Sequence, residues 1–186
     1  YQQGMQVKTA GEITAMQMDE VFTPELDTYR LAKLAAVATT NSNVATAAIT
    51  ASNAYDKFLD GTVSLDNDQV PTEGRVAFVT PSFYKFIKQD STFIKSSDVA
   101  QNMLINGMVG EVDGCKIVMV PTSYLPANTA FLLTHPTAGV APMQLEDVNT
   151  HENPPGISGA LIEGRFIYDA FAIVPKRKSM YQHKIA

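Results

Sequence analysis

Helix-like and strand-like patterns do not alternate along this chain, and that order limits its fold more than any other feature. Apolar residues at helical spacing come first, a compact mixture follows, and from about 139 onward the pattern is extended. A doubly wound parallel sheet needs strand and helix to alternate. The class predicted is therefore α+β, with the middle, 41–138, inserted between the two parts of a second lobe, 1–40 and 139–186.

The first clear signal is a helix start. Thr23 can cap, Pro24 suits the first helical position, and Glu25 complements the positive helix end. Leu26, Tyr29, Leu34 and Val37 then make one apolar face, which predicts a helix over 24–39 and makes Leu34→Asp an unfolding substitution. Residues 1–22 read as irregular or extended, anchored by Met5, Val7 and Ile13. A second helix is predicted over 44–59, where Val44, Ala48, Ala51, Tyr55 and Phe58 form a stripe and Gly61 lies past the end.

The turn Val70–Arg75 leads into a strand at 76–79. Thr80-Pro81 opens a short helix that buries Phe83, Phe86 and Ile87, and a third short helix is predicted near 98–106, closed by Gly107. Asp113-Gly114 between Met108–Val112 and Cys115–Val120 suits a two-residue hairpin turn. Ala130–Thr134 is a buried strand. Val140–Thr150 is extended, and Asn153-Pro154-Pro155-Gly156 is a loop. Leu161–Pro175 reads as a long strand, covered on both faces or bent, and Met180–Ile185 as a last strand.

Chemistry is hard to place on this sequence. There is no GxGxxG, P-loop, HExxH or CxxC. His151-Glu152 is followed by Asn153-Pro154-Pro155, which breaks the helix a zincin needs, so it reads as a polar loop. Ser158 reads as a loop residue, because a Pro-Pro turn precedes it where a nucleophile elbow needs a strand. Cys115 reads as a small buried hydrophobe. Glu73 and Arg75 read as a turn with a solvated or interface ion pair. Lys176-Arg177-Lys178 reads as an exposed turn or a subunit contact. No catalytic, cofactor-binding or metal-ligating residue is assigned, and no cofactor is expected. An enzyme with a carboxylate site is the rival reading, with Asp113, Glu111, Asp169 and Glu163 as the places to look; a binding module is a third.

The 186 residues carry 14 Lys+Arg against 19 Asp+Glu, a net of -5, which argues against a dedicated nucleic-acid binder. One cysteine excludes an internal disulfide. No apolar run is long enough to span a membrane, and the start does not read as a secretory signal peptide. The first residue is not Met, so the sequence reads as a fragment.

Four stretches resemble one family. Thr23-Pro24-Glu25-Leu26-Asp27-Thr28-Tyr29-Arg30 with Leu31–Ala35 is similar to the start of the spine helix in tailed-bacteriophage major capsid proteins. Val70-Pro71-x-Glu73-Gly74-Arg75, a strand, and Thr80-Pro81-Ser82-Phe83-Tyr84 resemble the same family's strand-to-helix step. Gly107-x-Val109-Gly110-Glu111-x-Asp113-Gly114 with Ile117-Val118 and Val120-Pro121 resembles its hairpin. Gly164-Arg165-Phe166-Ile167-Tyr168-Asp169-Ala170 resembles its closing strand.

The resemblance implies the Hong Kong ninety-seven-type fold. A peripheral domain with a spine helix and long strands (1–40 and 139–186) would carry an inserted axial domain (41–138). It also implies a structural protein of the virion, made in the bacterial cytoplasm, that assembles with copies of itself. Hexamers and pentamers would form an icosahedral head that encloses phage DNA without sequence-specific binding. Scaffolding, portal or decoration proteins are the further partners open to such a shell. An encapsulin-like compartment is the alternative close to this reading. The family's loops at the ring axis would correspond by position to residues around 121–129. Only about twenty residues precede Thr23, so the family's N-terminal arm and extended loop are expected to be removed, disordered or absent.

Overall fold

The computed structural model describes residues 10–90, 110–152, 154–156 and 160–186. The helix expected near 98–106 lies outside them. The chain opens on a helical rod. Helix α1 (Ala10–Gln17) runs through a π turn (Met18–Phe22) into α2 (Thr23–Thr40). The expected irregular start is thus helical from Ala10. Thr23 and Pro24 mark no helix start here, and the π turn explains why. Pro24 lacks an amide donor, and a wider turn just before it absorbs the misfit. The Thr23 amide and hydroxyl both donate to the Met18 carbonyl five residues back.

The buried face of α2 is Leu26, Leu31, Ala35 and Ala38. That face is rotated from the expected one. Two alanines carry it, because their small side chains let the helix lie close to the layer beneath. Leu34 is half-buried and packs at the border of two apolar clusters. A Cβ on Gly139 would lie 3.1 Å from its Cδ2, so the chain passes the helix closely there.

Strand β1 (Val44–Thr46) and helix α3 (Ala54–Asn67) follow. The helix expected from Val44 begins only at Ala54. Val44, Ala45 and Thr46 instead pair in parallel with Gln182, His183 and Lys184, a long-range partner that outweighs local period. A turn then precedes the helix, held by the Thr50 amide donating to Asn53 Oδ1 at 2.7 Å. Gly61 lies inside α3, not past its end. A Cβ there would meet Leu133 Cδ1 at 2.7 Å and Tyr181 Cε1 at 2.9 Å, so the missing side chain lets the helix rest directly on two strands.

Strand β2 (Arg75–Val79) leads to α4 (Pro81–Gln89), where Thr80 Oγ1 accepts from the Phe83 amide as a helix cap. Strands β3 (Glu111–Val112) and β4 (Cys115–Met119) flank Asp113 at φ 50° and Gly114 at φ 70°, the primed turn that the Asp-Gly pair predicts. Strand β5 (Thr129–Thr134) is buried at every residue. Short β6 (Gly139–Val140), long β7 (Met143–Glu152) and β8 (Ala160–Tyr168), short β9 (Phe171–Ala172) and β10 (Met180–Lys184) complete the chain. The long strand expected over 161–175 is bent rather than continuous. It breaks at Asp169-Ala170, where Asp169 Oδ1 accepts the Ala170 amide, and a 3₁₀ segment occupies Val174–Ser179.

Six strands make the central sheet in the order β1-β10-β5-β2-β4-β3. One face packs against α3 and α4 through Ala77, Val79, Ile117, Phe131 and Leu133. The other meets α2 through Leu132, Val120 and Leu125. Strand β10 pairs with β5, so the end of the chain lies in the sheet of the middle segment. The stretch 121–129 folds back onto α2, since Leu125 is buried there and Tyr124 packs beside it. Pro121, Thr122, Ser123, Ala127 and Asn128 remain exposed. Strands β7 and β8 stand apart as a two-stranded ribbon.

The turn residue Arg75 differs most from its expectation. It is 2% exposed and not solvated. Its guanidinium donates to Asp66 and to the Val70 and Pro71 carbonyls, and Glu73 is not its partner. The Glu73 carbonyl instead accepts from His135 Nε2 at 3.1 Å. His135 Nδ1 accepts the Thr137 amide, so both ring nitrogens are engaged.

Candidate assembly surfaces

The residues that could support catalysis are scattered. Glu111 and Asp113 lie in the β3–β4 turn. Glu163 sits on the ribbon, where His151 on the opposite strand lies 2.9 Å from its carboxylate and holds it below its ordinary pKa. His151-Glu152 is thus the end of a strand, not a loop. Asp169 accepts from the Ala170 amide and from the Tyr29 hydroxyl at 2.8 Å, which together lower its pKa. Among the described residues no three His, Cys, Asp or Glu side chains gather to hold a metal. Ser158 lies outside the described residues.

Cys115 is buried in the sheet, and burial pushes its thiol up to about 11. A thiol reagent at pH 8 is expected to leave it unmodified in the native protein and to label one group per chain in urea. Rapid native labelling would show that the sheet opens at β4.

A second titrating group lies inside the central sheet. His183 on β10 is fully buried and stacks on Phe131 at 5.1 Å. Burial lowers its pKa, so the folded state prefers the neutral ring. The sign follows directly: stability is complete above the ordinary value of 6.5 and falls as pH drops below it, because the unfolded chain binds the proton more readily. Urea midpoints at pH 7.5 and 5 should separate in the native sequence, and His183→Phe should narrow that gap. An equal gap in both proteins would assign the pH response elsewhere.

The more distinctive surfaces lie along the helical rod. Every second residue of β8 faces the helix. Phe166 contacts Phe22 with ring centres 4.2 Å apart, and Tyr168 meets Phe22 and Tyr29 edge-on. The Tyr168 hydroxyl donates to Glu25 at 2.9 Å. This aromatic seam fixes the ribbon to the rod. It escaped the sequence reading, although Phe166 and Tyr168 alternate on one strand face and Phe22 and Tyr29 recur seven residues apart on the helix.

Large apolar side chains remain in water beside the seam. Ile13, Val21 and Leu161 are exposed around a groove of about 530 Å³ between the rod and β8. At the other end Phe171 is 57% and Val174 66% exposed. Lys176, Arg177 and Lys178 follow on an exposed 3₁₀ segment, as the sequence suggests. Monomeric proteins rarely expose contiguous apolar residues on this scale, so such patches mark interaction sites.

A long helix that carries a separate two-stranded ribbon beside a six-stranded α+β sheet is the fold of a tailed-phage capsid subunit. The chain belongs to the family described as phage capsid protein, which matches residues 11–181. Its fold is similar to the capsid of cyanophage P-SCSP1u (TM-score 0.75, 13% identity, covering 96% of this chain and 66% of that one). It is also similar to the mature capsid of bacteriophage PhiM1 (TM-score 0.55, 16% identity, 95% and 63%). A virus-like particle from Pyrococcus furiosus matches as well (TM-score 0.53, 11% identity, 89% and 64%). The chain thus spans somewhat less than two thirds of each of these relatives. No curated protein sequence matches it. No helix among the described residues is long and apolar enough to cross a membrane.

Proposed function

We propose that this chain is the shell-forming part of a phage major capsid protein, and that its activity is self-association rather than catalysis. The observation that carries the proposal is the ribbon. Strands β7 and β8 run for 10 and 9 residues, and among the described residues neither outer edge pairs with anything. A two-stranded ribbon is marginal alone in water, and open edges invite a neighbouring chain. Repeated contacts between unlike surfaces of identical subunits close into rings or shells when the rotation permits.

On this proposal 1–40 and 139–186 form the peripheral part of the subunit. Residues 41–138 form the axial part, whose sheet also recruits β10. Hexamers and pentamers would tile an icosahedral head around DNA that the wall does not read by sequence. The carboxylates at Glu111, Asp113, Glu163 and Asp169 would then serve turns, the ribbon and the seam, with no catalytic role.

Negative-stain electron microscopy of the protein expressed from its natural start codon tests this. Uniform shells, rings or tubes are expected. Dispersed small particles at high concentration, from a protein with a native melting transition, would remove the proposal.

A further inference from the structure

One edge of the central sheet is guarded and the other is bare. In the order β1-β10-β5-β2-β4-β3 the end strands are β1 and β3. Strand β3 is two residues long, and its hairpin carries Glu111, Asp113 and Lys116, all exposed. Such charges keep an edge from pairing with another chain. The β1 side lacks them. No charged residue lies between Lys33 and Asp56, and no proline between Pro24 and Pro71. The extended pattern also runs past the three residues of β1, since Ala45, Ala47 and Ile49 are half-buried while Thr46, Ala48 and Thr50 are exposed. The backbone shows which groups face outward. The Asn43 carbonyl accepts the Gln182 amide at 3.0 Å, and the Ala47 amide donates to the Lys184 carbonyl at 3.1 Å. Asn43 and Ala47 thus turn their backbone groups toward β10, and so does Ala45 midway between them. Val44 and Thr46 turn theirs away, and among the described residues β10 is the only strand paired with β1.

We propose that this edge pairs with the same edge of a second copy, antiparallel about a two-fold axis at Ala45. This rests on the self-association reading and adds a like-with-like contact to it. The pattern of groups selects the occupant. With Ala45 opposite Ala45, the amide and carbonyl of Val44 meet those of Thr46 in the second copy, and the reverse, so every outward group of both residues is satisfied. The side chains agree, because valine meets threonine and alanine meets alanine, with no like charges set against each other. The β3 edge matches less well, since Glu111 would face an uncharged strand that has no cation to pair it. Pairing of this kind carries the sheet from one subunit into the next and uses neither the rod nor the ribbon.

Sedimentation velocity of the 186-residue chain across a concentration series tests the pairing. Thr46→Lys puts a charge on the edge, and Thr122→Lys puts the same charge just beyond β4, toward the other side of the sheet. Both positions are exposed, so both variants should keep the native melting temperature. Association is expected to weaken at least about tenfold in Thr46→Lys and to stay native in Thr122→Lys. Ala45→Cys reads the register. Opposed across the two-fold axis, these residues would lie about 4.5 Å apart between Cα atoms, so mild oxidation should give a covalent dimer that a reductant reverses. The native chain, whose one cysteine is buried, should give none. If the native chain associates and Thr46→Lys associates equally well, or Thr122→Lys weakens as much, the edge contact is overturned while self-association stands. If Thr46→Lys alone weakens but Ala45→Cys forms no covalent dimer, another strand occupies the edge and the two-fold pairing is overturned. A native chain that stays monomeric at every concentration also overturns the pairing, and shells in micrographs of the protein from its natural start codon would then leave the self-association reading standing without it.

Discussion

Phe131→Ala lowers the stability of the protein by about 4 kcal/mol, near the upper end for removing a buried phenyl ring. The size follows from where the ring sits. Phe131 is on β5, the strand that joins β10 to β2 in the middle of the sheet. Its ring is fully buried, with Phe83 4.6 Å, His183 5.1 Å, Phe58 5.7 Å and Tyr181 6.1 Å away between centres. These neighbours come from α3, α4 and β10, so one side chain joins both helices of that face to the chain's last strand. Aromatic walls cannot swing into the gap easily, and the cavity should persist. Urea unfolding should show a lower midpoint with an unchanged slope. A cost under about 1 kcal/mol would mean that the layers collapse onto the vacated site.

The readable parts of this fold were those with a local cause. The Asp113-Gly114 turn appears as expected because its dihedral angles suit few other residue pairs. Thr80-Pro81 likewise caps α4 through the side chain that the sequence points to. The misreadings share a different cause. Val44–Thr46 has helical spacing but joins β10, which lies more than a hundred residues away. Gly61 has the look of a helix end, yet it is a contact point with Leu133 and Tyr181. Thr23-Pro24 has every mark of a helix start, but a π turn carries the helix through it. In each case a distant partner or a rare backbone turn outweighed the local signal.

The assembly surfaces were less legible than the core. An apolar residue in a helical or extended pattern is normally read as buried. Ile13, Val21, Phe171 and Val174 break that rule, since nothing among the described residues covers them. Only Lys176-Arg177-Lys178 pointed to a contact, by its charge. The family resemblance supplied the rest of the functional reading, and it did so through turn and strand residues that say little about where subunits meet.

Arg75→Ala is the second large loss, about 3 kcal/mol, and it separates two explanations of a buried cation. The guanidinium is nearly sealed from water and has three acceptors. Nε donates to the Pro71 carbonyl at 2.9 Å, and one terminal nitrogen donates to the Val70 carbonyl at 2.6 Å and to Asp66. Asp66 is itself 52% exposed, so water competes for its carboxylate and the ion pair contributes little. The two carbonyls are different. They belong to the bend between α3 and β2, and Val70 is buried. Without the arginine both lose charge-assisted partners, and the Val70 carbonyl loses its own in a place water reaches poorly. Asp66→Asn should therefore cost under about 1 kcal/mol, while Arg75→Ala costs several times more. Arg75→Met should fall between them, because it keeps the apolar stem but not the donors. Equal losses for Asp66→Asn and Arg75→Ala in denaturant titrations would reverse the assignment and make the ion pair the element that holds the bend.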